Sequence, residues 1–479
     1  MSVFAVPAVR RRLLDAARLR RVGRVTRVVG LRLEIEGVEA AVGDAVLVER
    51  STGALLPTEV VALESDSLTC MPLGDAARVR YGDEAVSTGR PHPIAVGQQL
   101  LGRVLDGLGR PIDDKGPLGE CEEVSIESRP PHPLRREMVD RQIALGVRAL
   151  DTLVPCGRGQ RLGILAGSGV GKSTLLGMIA KGTDADVSVV ALVGERGREV
   201  QEFIKNDLGD ALSRSVVVVA TSDEPALVRI RAAFTATRIA EWFRDRGTDV
   251  VLMADSVTRL AMAQREVGLA AGEPPTTRGY PPSMYTLLSR LLERAGAAER
   301  GSITGIYTVL VEGDDMNEPI ADTVRSILDG HIVLSRRLAT SGHFPSVEVL
   351  ESISRLESVI TTPEQRARSR ELREILAAYR DAKDLVEIGA YARGANPVVD
   401  RALDLKPLID AFLRQDVSEV STSQSSWAQL RALLAPPGLA LDGVGPGAPA
   451  ARSDGEPTDD AAAEPVGDAA VEPVGTAAP

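Results

Sequence analysis

Apolar and polar residues alternate in LRLEIEG (31–37), with Leu31, Leu33 and Ile35 on one side and Arg32, Glu34 and Glu36 on the other. That is the period of a strand with one wet face. AVLVE (45–49), TEVVALE (58–64) and SLTCMPL (67–73) repeat the theme, with Gly, Asp and Ser between them. Short strands punctuated so closely predict a small antiparallel β-barrel over residues 24–92.

From residue 93 to 360 the pattern changes. VSVVALVGE (187–195), SVVVVATSD (215–223) and DVVLMADS (249–256) are too uniformly apolar for one wet face. They predict buried parallel strands, and PALVRIRAAFTATRIAEWFRDRG (225–247) reads as one of the covering helices of a doubly wound α/β core. After Thr362-Pro363, a good cap and first helical position, Leu372, Ile375, Leu376 and Tyr379 recur at i, i+3, i+4 and i+7. Gly389 is expected to end that helix and IDAFLRQ (409–415) to belong to another, which makes residues 361–435 a helical C-terminal domain.

Both ends differ from the body. In VRRRLLDAARLRR (9–21) the leucines favour one side and arginines most of the rest, so residues 1–23 read as a basic helix or extension. Such a segment is either a solvated terminus or an amphipathic helix for an acidic partner or an anionic membrane surface. Residues 436–479 collapse into Pro, Ala, Gly and Asp/Glu, with EPVG at 464 and again at 472. A tail of that composition cannot bury enough surface to offset its ordering entropy and is expected to be disordered.

Composition narrows the function classes. At 479 residues, 44% hydrophobic and 26% charged, the chain reads as a soluble protein of several domains. The net charge is −11, and the tail holds eight acidic residues against Arg452 alone, so the body is close to neutral. With aromatics at 3%, a surface built for stacking bases is not expected. The three cysteines, Cys70, Cys121 and Cys156, are far apart and lack metal-ligand spacing, which suits reduced thiols. No apolar run approaches the roughly 20 residues that span a bilayer, and no signal-peptide core opens the chain, so a cytoplasmic location is expected.

The chemistry begins at AGSGVGKST (166–174). The pattern G-x-x-x-x-G-K-[ST] uses backbone N–H groups to curl around phosphate oxygens, here over Gly167, Ser168, Gly169, Val170 and Gly171. Ala166 stands where the first glycine is usual. RLGILA (161–166) leads in as a strand and KSTLLGMIAKG (172–182) follows as a helix, whose N-terminus favours an anion. Lys172 would reach the β- and γ-phosphates and Ser173 would hold Mg²⁺. VVLMADS (250–256) puts Asp255 at the end of a strand, where it can orient the metal's water shell. GERGRE (194–199) places Glu195 to polarise water and Arg196 to neutralise transferring charge; a solvated charge cluster is the competing reading.

In this order the motifs resemble one family: the hexameric ATPases related to the catalytic subunit of rotary ATP synthases. Within it the chain is similar to the type III secretion ATPases, above all their flagellar export branch. The matching stretches include LLGRVLDGLGRPID (100–113), AGSGVGKST, GERGREVQEFI (194–204), ADSVTRLAMAQREVGLAAGEPPTTRGYPPS (254–283), GSITGIYTVLVEGDDMNEPIADTVRSILDGHIVLSRRLA (301–339) and PSVEVLESISR (345–355). YARGANPVVDRALDLKPLIDAFLRQ (391–415) is similar to the same branch.

The resemblance implies a RecA-like P-loop ATPase domain over residues 93–360, with ATP as substrate and Mg²⁺ as cofactor. It implies that Lys172, Ser173 and Thr174 bind phosphates and metal, that Asp255 serves the metal, and that Glu195 is the catalytic carboxylate with Arg196 beside it. Arg355 falls at the arginine-finger position, which acts on the neighbouring subunit's nucleotide. Phe344 falls where rotary relatives often place a Tyr against adenine, and Glu348 replaces a commoner Asp. The implied partners are five more copies of the chain, a regulatory stator-like protein at the basic N-terminus, a central stalk, an export gate, and export substrates with their chaperones. The implied location is the cytoplasmic side of the inner membrane, with contact to anionic lipid.

Four other readings compete. A rotary-synthase catalytic subunit shares most of the site, but LLGRVLDGLGRPID and AMAQREVGLAAGEPPTTRGYPPS read as the secretion branch. The ATPase of a virulence-type secretion system lies closer, and the stretches VEGDDMNEPIADTVRSILDG and TSDEPALVRIRAAFTATRIAEWF favour the flagellar one. A ring RNA helicase needs a basic, aromatic-bearing N-terminal domain, whereas residues 24–92 hold only Tyr81, so no nucleic-acid partner is expected. A passive nucleotide binder would typically lack the Glu195 carboxylate.

Overall fold

The computed structural model describes residues 21–435 except 312, 314, 316 and 317. Residues 1–20 of the expected basic helix or extension (1–23) and the expected disordered tail 436–479 lie outside the described residues, and Val22 and Gly23 belong to a strand instead.

Six short strands form a closed antiparallel barrel: β1 (Val22–Val29), β2 (Arg32–Glu36), β3 (Ala45–Glu49), β4 (Leu55–Leu63), β5 (Ser67–Pro72) and β6 (Glu84–Ser87), ordered β1-β2-β5-β4-β3-β6. Closure comes from β1 pairing with β6, Val22 opposite Val86. Alternation puts Val25, Leu33, Ile35, Val46, Val48 and Val60 inside without exposure. Each such side chain contributes roughly 1.5–3 kcal/mol on burial. Leu31, expected inward, instead sits exposed before β2, because the chain turns at Gly30 with φ +59°. Cys70 is enclosed, and burial pushes its thiol up to about 12, so it is unreactive.

The core of the molecule is a mostly parallel sheet. In chain order its strands are β7 (Val104–Asp106), β8 (Arg161–Ala166), β9 (Val187–Glu195), β10 (Ser215–Thr221), β11 (Asp249–Asp255), β12 (Ser302–Leu310), β13 (Gly330–Leu334) and β14 (Ile353–Ser354). They lie in the order β14-β13-β8-β12-β11-β9-β10-β7. All neighbours on this path run parallel except β13 and β14. The uniform apolar runs are explained by this: β9, β10 and β11 are covered on both faces and almost every position is buried. A parallel arrangement also sends the C-terminal ends of β8, β9 and β11 to one edge, where loops gather their polar residues.

The helices that matter below are α1 (Arg148–Leu153), α2 (Lys172–Gly182), α3 (Gly197–Glu202), α4 (Ala226–Arg244), α5 (Val257–Ala270), α6 (Pro282–Leu292), α7 (Pro319–Ile327) and α8 (Arg336–Thr340). The C-terminal part is helical: α9 (Pro363–Glu387), α10 (Pro397–Leu413) and α11 (Ser423–Leu433). Helix α9 starts at a capping box, Thr362 and Gln365 each satisfying the other's backbone N–H, with Pro363 in the first turn. It buries Leu372 and Ile375, and Gly389 at φ +71° follows its end. Polar ties hold these helices to the sheet. Arg148 donates to the Phe412 carbonyl at 3.0 Å, and Gln415 donates to the Gly146 carbonyl at 2.8 Å. Arg373 donates to the Val349 carbonyl at 2.8 Å.

Candidate active site

Strand β8 ends at Ala166, which still pairs with Leu310 and Leu334, so the chain turns only at the next residue. Its φ is not positive, which is why a methyl group is tolerated at this first loop position. The turn is made by Gly169 at φ +76° and Gly171 at φ +94°, the latter in the left-handed region that favours glycine and forming the N-cap of α2. Two contacts brace the loop from behind. Ser346 Oγ donates to the Val170 carbonyl at 2.6 Å, and Arg336 Nη1 donates to the Ser168 carbonyl at 3.3 Å.

From the first turn of α2 the Lys172 ammonium reaches the ends of two other strands. Its Nζ lies 3.4 Å from Glu195 Oε1 and makes a closer ion pair with Asp255 Oδ1. All three side chains are largely shielded, with exposures of 11% for Lys172, 13% for Glu195 and 2% for Asp255. One cation between two carboxylates leaves the cluster with net negative charge in a partly dry place. Burial therefore raises Glu195 above the ordinary carboxylate range; Lys172 opposes that shift and Asp255 adds to it. Asp255 Oδ1 also accepts from the Thr308 hydroxyl at 2.8 Å.

Glu195 sits where it does because Gly194, at φ +71°, breaks the register of β9 just before the strand ends. A Cβ at Gly194 would stand 3.0 Å from Arg259 Cβ, so the arginine on α5 packs directly beside this turn. Arg259 Nε is buried with no hydrogen-bond partner among the described residues. A guanidinium with an unsatisfied buried donor, one residue from Glu195, is suited to an anionic oxygen. Sequence reasoning missed Arg259 and Thr308. The signal for Arg259 was its place one turn after Asp255 in DSVTR; Thr308 carried none, lying inside the apolar run IYTVL.

Phe344 lies against the loop, its ring 3.5 Å from where a Gly171 Cβ would be, and it remains 44% exposed. An aromatic face open beside the phosphate loop can stack on a purine. Ser173 is exposed at the helix start and its hydroxyl makes no hydrogen bond to protein; Thr174 is half-buried next to it.

Two of the expected residues lie outside the Lys172 ion pairs. Arg196, the N-cap residue of α3, has its side chain 74% exposed and pairs at 3.4 Å with Glu199, whose carboxyl hydrogen-bonds Glu195. Arg355 follows β14 at the far edge of the sheet, two strands from the loop-bearing β8. Its guanidinium donates to the Arg325 carbonyl at 3.1 Å and the residue is exposed.

The donor set fits Mg²⁺. Ser173 Oγ and Asp255 Oδ2 are hard oxygens without protein donors, and no group of three or more His, Cys, Asp or Glu side chains among the described residues forms a cage. Magnesium is characteristically held by one or two protein oxygens together with substrate phosphates.

Residues 146–354 match the ATP synthase alpha/beta family, nucleotide-binding domain, and residues 361–432 match the type III secretion EscN ATPase C-terminal domain. The chain is 52% identical to a flagellum-specific ATP synthase of Bacillus subtilis over 86% of its own length and 95% of that protein. It is 47% identical to a type 3 secretion system ATPase of Xanthomonas euvesicatoria, over 87% and 95%. Among solved structures it is similar to the assembled ATPase EscN of enteropathogenic Escherichia coli in complex with its central stalk EscO. The TM-score there is 0.81, with 44% identity, covering 86% of this chain and all of that one.

Proposed function

The chain belongs to the ATP synthase alpha/beta family, in the branch of the type III secretion ATPases, and we propose that it is the ring ATPase that assists export of flagellar proteins. Membership makes it an ATPase. The flagellar assignment is supported by 52% identity with the flagellum-specific relative, against 47% with the secretion-system one.

One observation carries the active-site reading: Lys172 bridges Glu195 and Asp255 at the mouth of the phosphate loop. In our reading the backbone N–H groups of residues 167–171 cradle the phosphates, and Lys172 neutralises charge on the β- and γ-oxygens. Glu195 holds the attacking water and takes its proton as the oxygen closes on the γ-phosphorus. The bond from that phosphorus to the β-bridging oxygen breaks, leaving ADP and phosphate. Mg²⁺, held through Ser173 and oriented by Asp255, supplies positive charge to the β/γ oxygens when bound. Phe344 stacks on the adenine. Arg259 joins the groups facing the γ-phosphate, and Arg196 contributes only if α3 shifts its exposed N-terminus inward.

Arg355 acts across the boundary between copies. Its place after the edge strand β14, two strands from β8, supports a role on a neighbour's nucleotide, and one chain then carries both halves of the site. Such a finger is worth roughly 10³–10⁵ in rate. A ring of identical copies follows, six by family resemblance, with the helical C-terminal part turned to a central stalk and substrates. The N-terminal residues 1–23 meet a stator-like partner and anionic lipid. The proposed site of work is the cytoplasmic side of the inner membrane; no described helix is long and apolar enough to cross it.

The test is phosphate release by the full chain and by Glu195→Gln. Loss of about 10²–10⁴ in turnover is expected, with ATP binding retained. Equal, near-zero rates in both proteins would point to a passive nucleotide binder instead.

A further inference from the structure

Strand β12 runs between β8, which leads into the phosphate loop, and β11, which ends in Asp255. Thr308 is opposite Ile164 on one side and one residue beyond the Ala254–Tyr307 pair on the other. It is therefore the β12 residue level with the metal-site carboxylate. Its side chain is fully buried. A buried hydroxyl has to donate somewhere. Two acceptors are in range, Asp255 Oδ1 at 2.8 Å and the Ala254 carbonyl at 3.5 Å, and the short bond to an ionised acceptor dominates.

The plain alternative is a β-branched residue that merely suits a buried strand. Its same-face neighbour Ile306 shows that an aliphatic side chain fits here without exposure, so packing alone does not call for a hydroxyl. What the hydroxyl adds is an anchor. Asp255 Oδ1 receives both Lys172 and Thr308, whereas Oδ2 receives no donor among the described residues. Lys172 sits on a long flexible stem and is needed by the phosphates; Thr308 is held rigidly by the sheet. The threonine therefore sets the plane of the carboxylate whether or not the lysine stays.

We propose that Thr308 is a positioning residue for the magnesium site, fixing Asp255 through Oδ1 so that Oδ2 faces the metal's water shell. This rests on the reading of Asp255 as the metal-orienting carboxylate. Outer partners of this kind typically change metal affinity by about 10–100-fold when removed.

The experiment titrates Mg²⁺ into the full chain with a fluorescent ADP analogue and reads anisotropy, with a parallel binding curve in EDTA. Thr308→Val removes the donor and keeps the shape; Thr308→Ala removes it without overpacking, so a folded variant lacking the donor is available; Thr308→Ser keeps the donor. The Mg²⁺ concentration for half-maximal effect should rise about 10–100-fold in Thr308→Val and Thr308→Ala and stay within about threefold in Thr308→Ser. Affinity in EDTA should be unchanged throughout. A wild-type Mg²⁺ requirement in the variants lacking the hydroxyl would overturn the proposal, as would an equal shift in Thr308→Ser, which would indicate packing. Nucleotide binding by the unmodified chain that ignores Mg²⁺ would overturn the Asp255 reading along with it.

Discussion

Glu241 on α4 and Arg294 just after α6 form an ion pair in which both side chains have no exposure. Arg294 Nε meets Glu241 Oε1 at 2.7 Å and Nη2 meets Oε2 at 2.8 Å, a two-pronged geometry. Glu241→Ala leaves the guanidinium with one remaining acceptor, the Ile126 carbonyl at 3.1 Å. Removing one partner of a buried pair strands the other charge and costs about 3–5 kcal/mol. For a domain of 150–250 residues each kcal/mol is worth roughly 2–4 °C in Tm, so a fall of about 6–20 °C is expected. Circular dichroism melts of wild type, Glu241→Leu, Arg294→Met and the Glu241→Leu/Arg294→Met double variant give the coupling directly, with Glu241→Ala melted beside them. The double variant should recover most of the loss, because no fully buried charge is left stranded; Arg238, 3.3 Å from Glu241 Oε2, is partly exposed and keeps access to water. A fall below about 1 kcal/mol in Glu241→Ala would refute the reasoning, and so would a double variant as unstable as the sum of the singles.

Other expectations follow from the site itself. Since burial raises Glu195 and the base must be ionised, turnover should fall as pH drops through a value above the usual Glu range of about 4.3, and Glu195→Gln should lack that limb. The sign for stability is the opposite. The folded state binds the extra proton between the ordinary and the raised pKa, so stability falls as pH rises through that window, and Glu195→Gln should be no less stable than wild type above it. Phe344→Ala should raise KM for ATP about tenfold with kcat little changed, and Phe344→Tyr should match wild type. Gly194→Ala forces a side chain into a positive-φ turn against Arg259 and should lower turnover by about 10²-fold while nucleotide still binds.

What the sequence made legible was whatever depends on local period or on a short motif. The uniform runs of β9 and β11 announced a sheet covered on both faces, and AGSGVGKST announced the loop between strand and helix. Leu31 failed because a period-2 count continues through Gly30 while the backbone turns there. Thr308 was illegible for a different reason, and Arg259 was marked only by its place one turn after Asp255. Their roles arise from strands and helices far apart in the chain meeting at one edge, and neither residue type breaks the local pattern. Adjacency in sequence put Arg196 beside Glu195; the start of α3 leaves its side chain mostly exposed and joins it to Glu195 through Glu199.

The account depends on a site shared between copies, and a mixing experiment tests that. Lys172→Ala and Arg355→Ala should each be inactive alone. Mixed in equal amounts, about one interface in four would pair an intact loop with an intact finger, and ATP turnover should reappear, scaling with the product of the two fractions. Co-assembly of the two variants without any recovered hydrolysis, at any ratio, would contradict it.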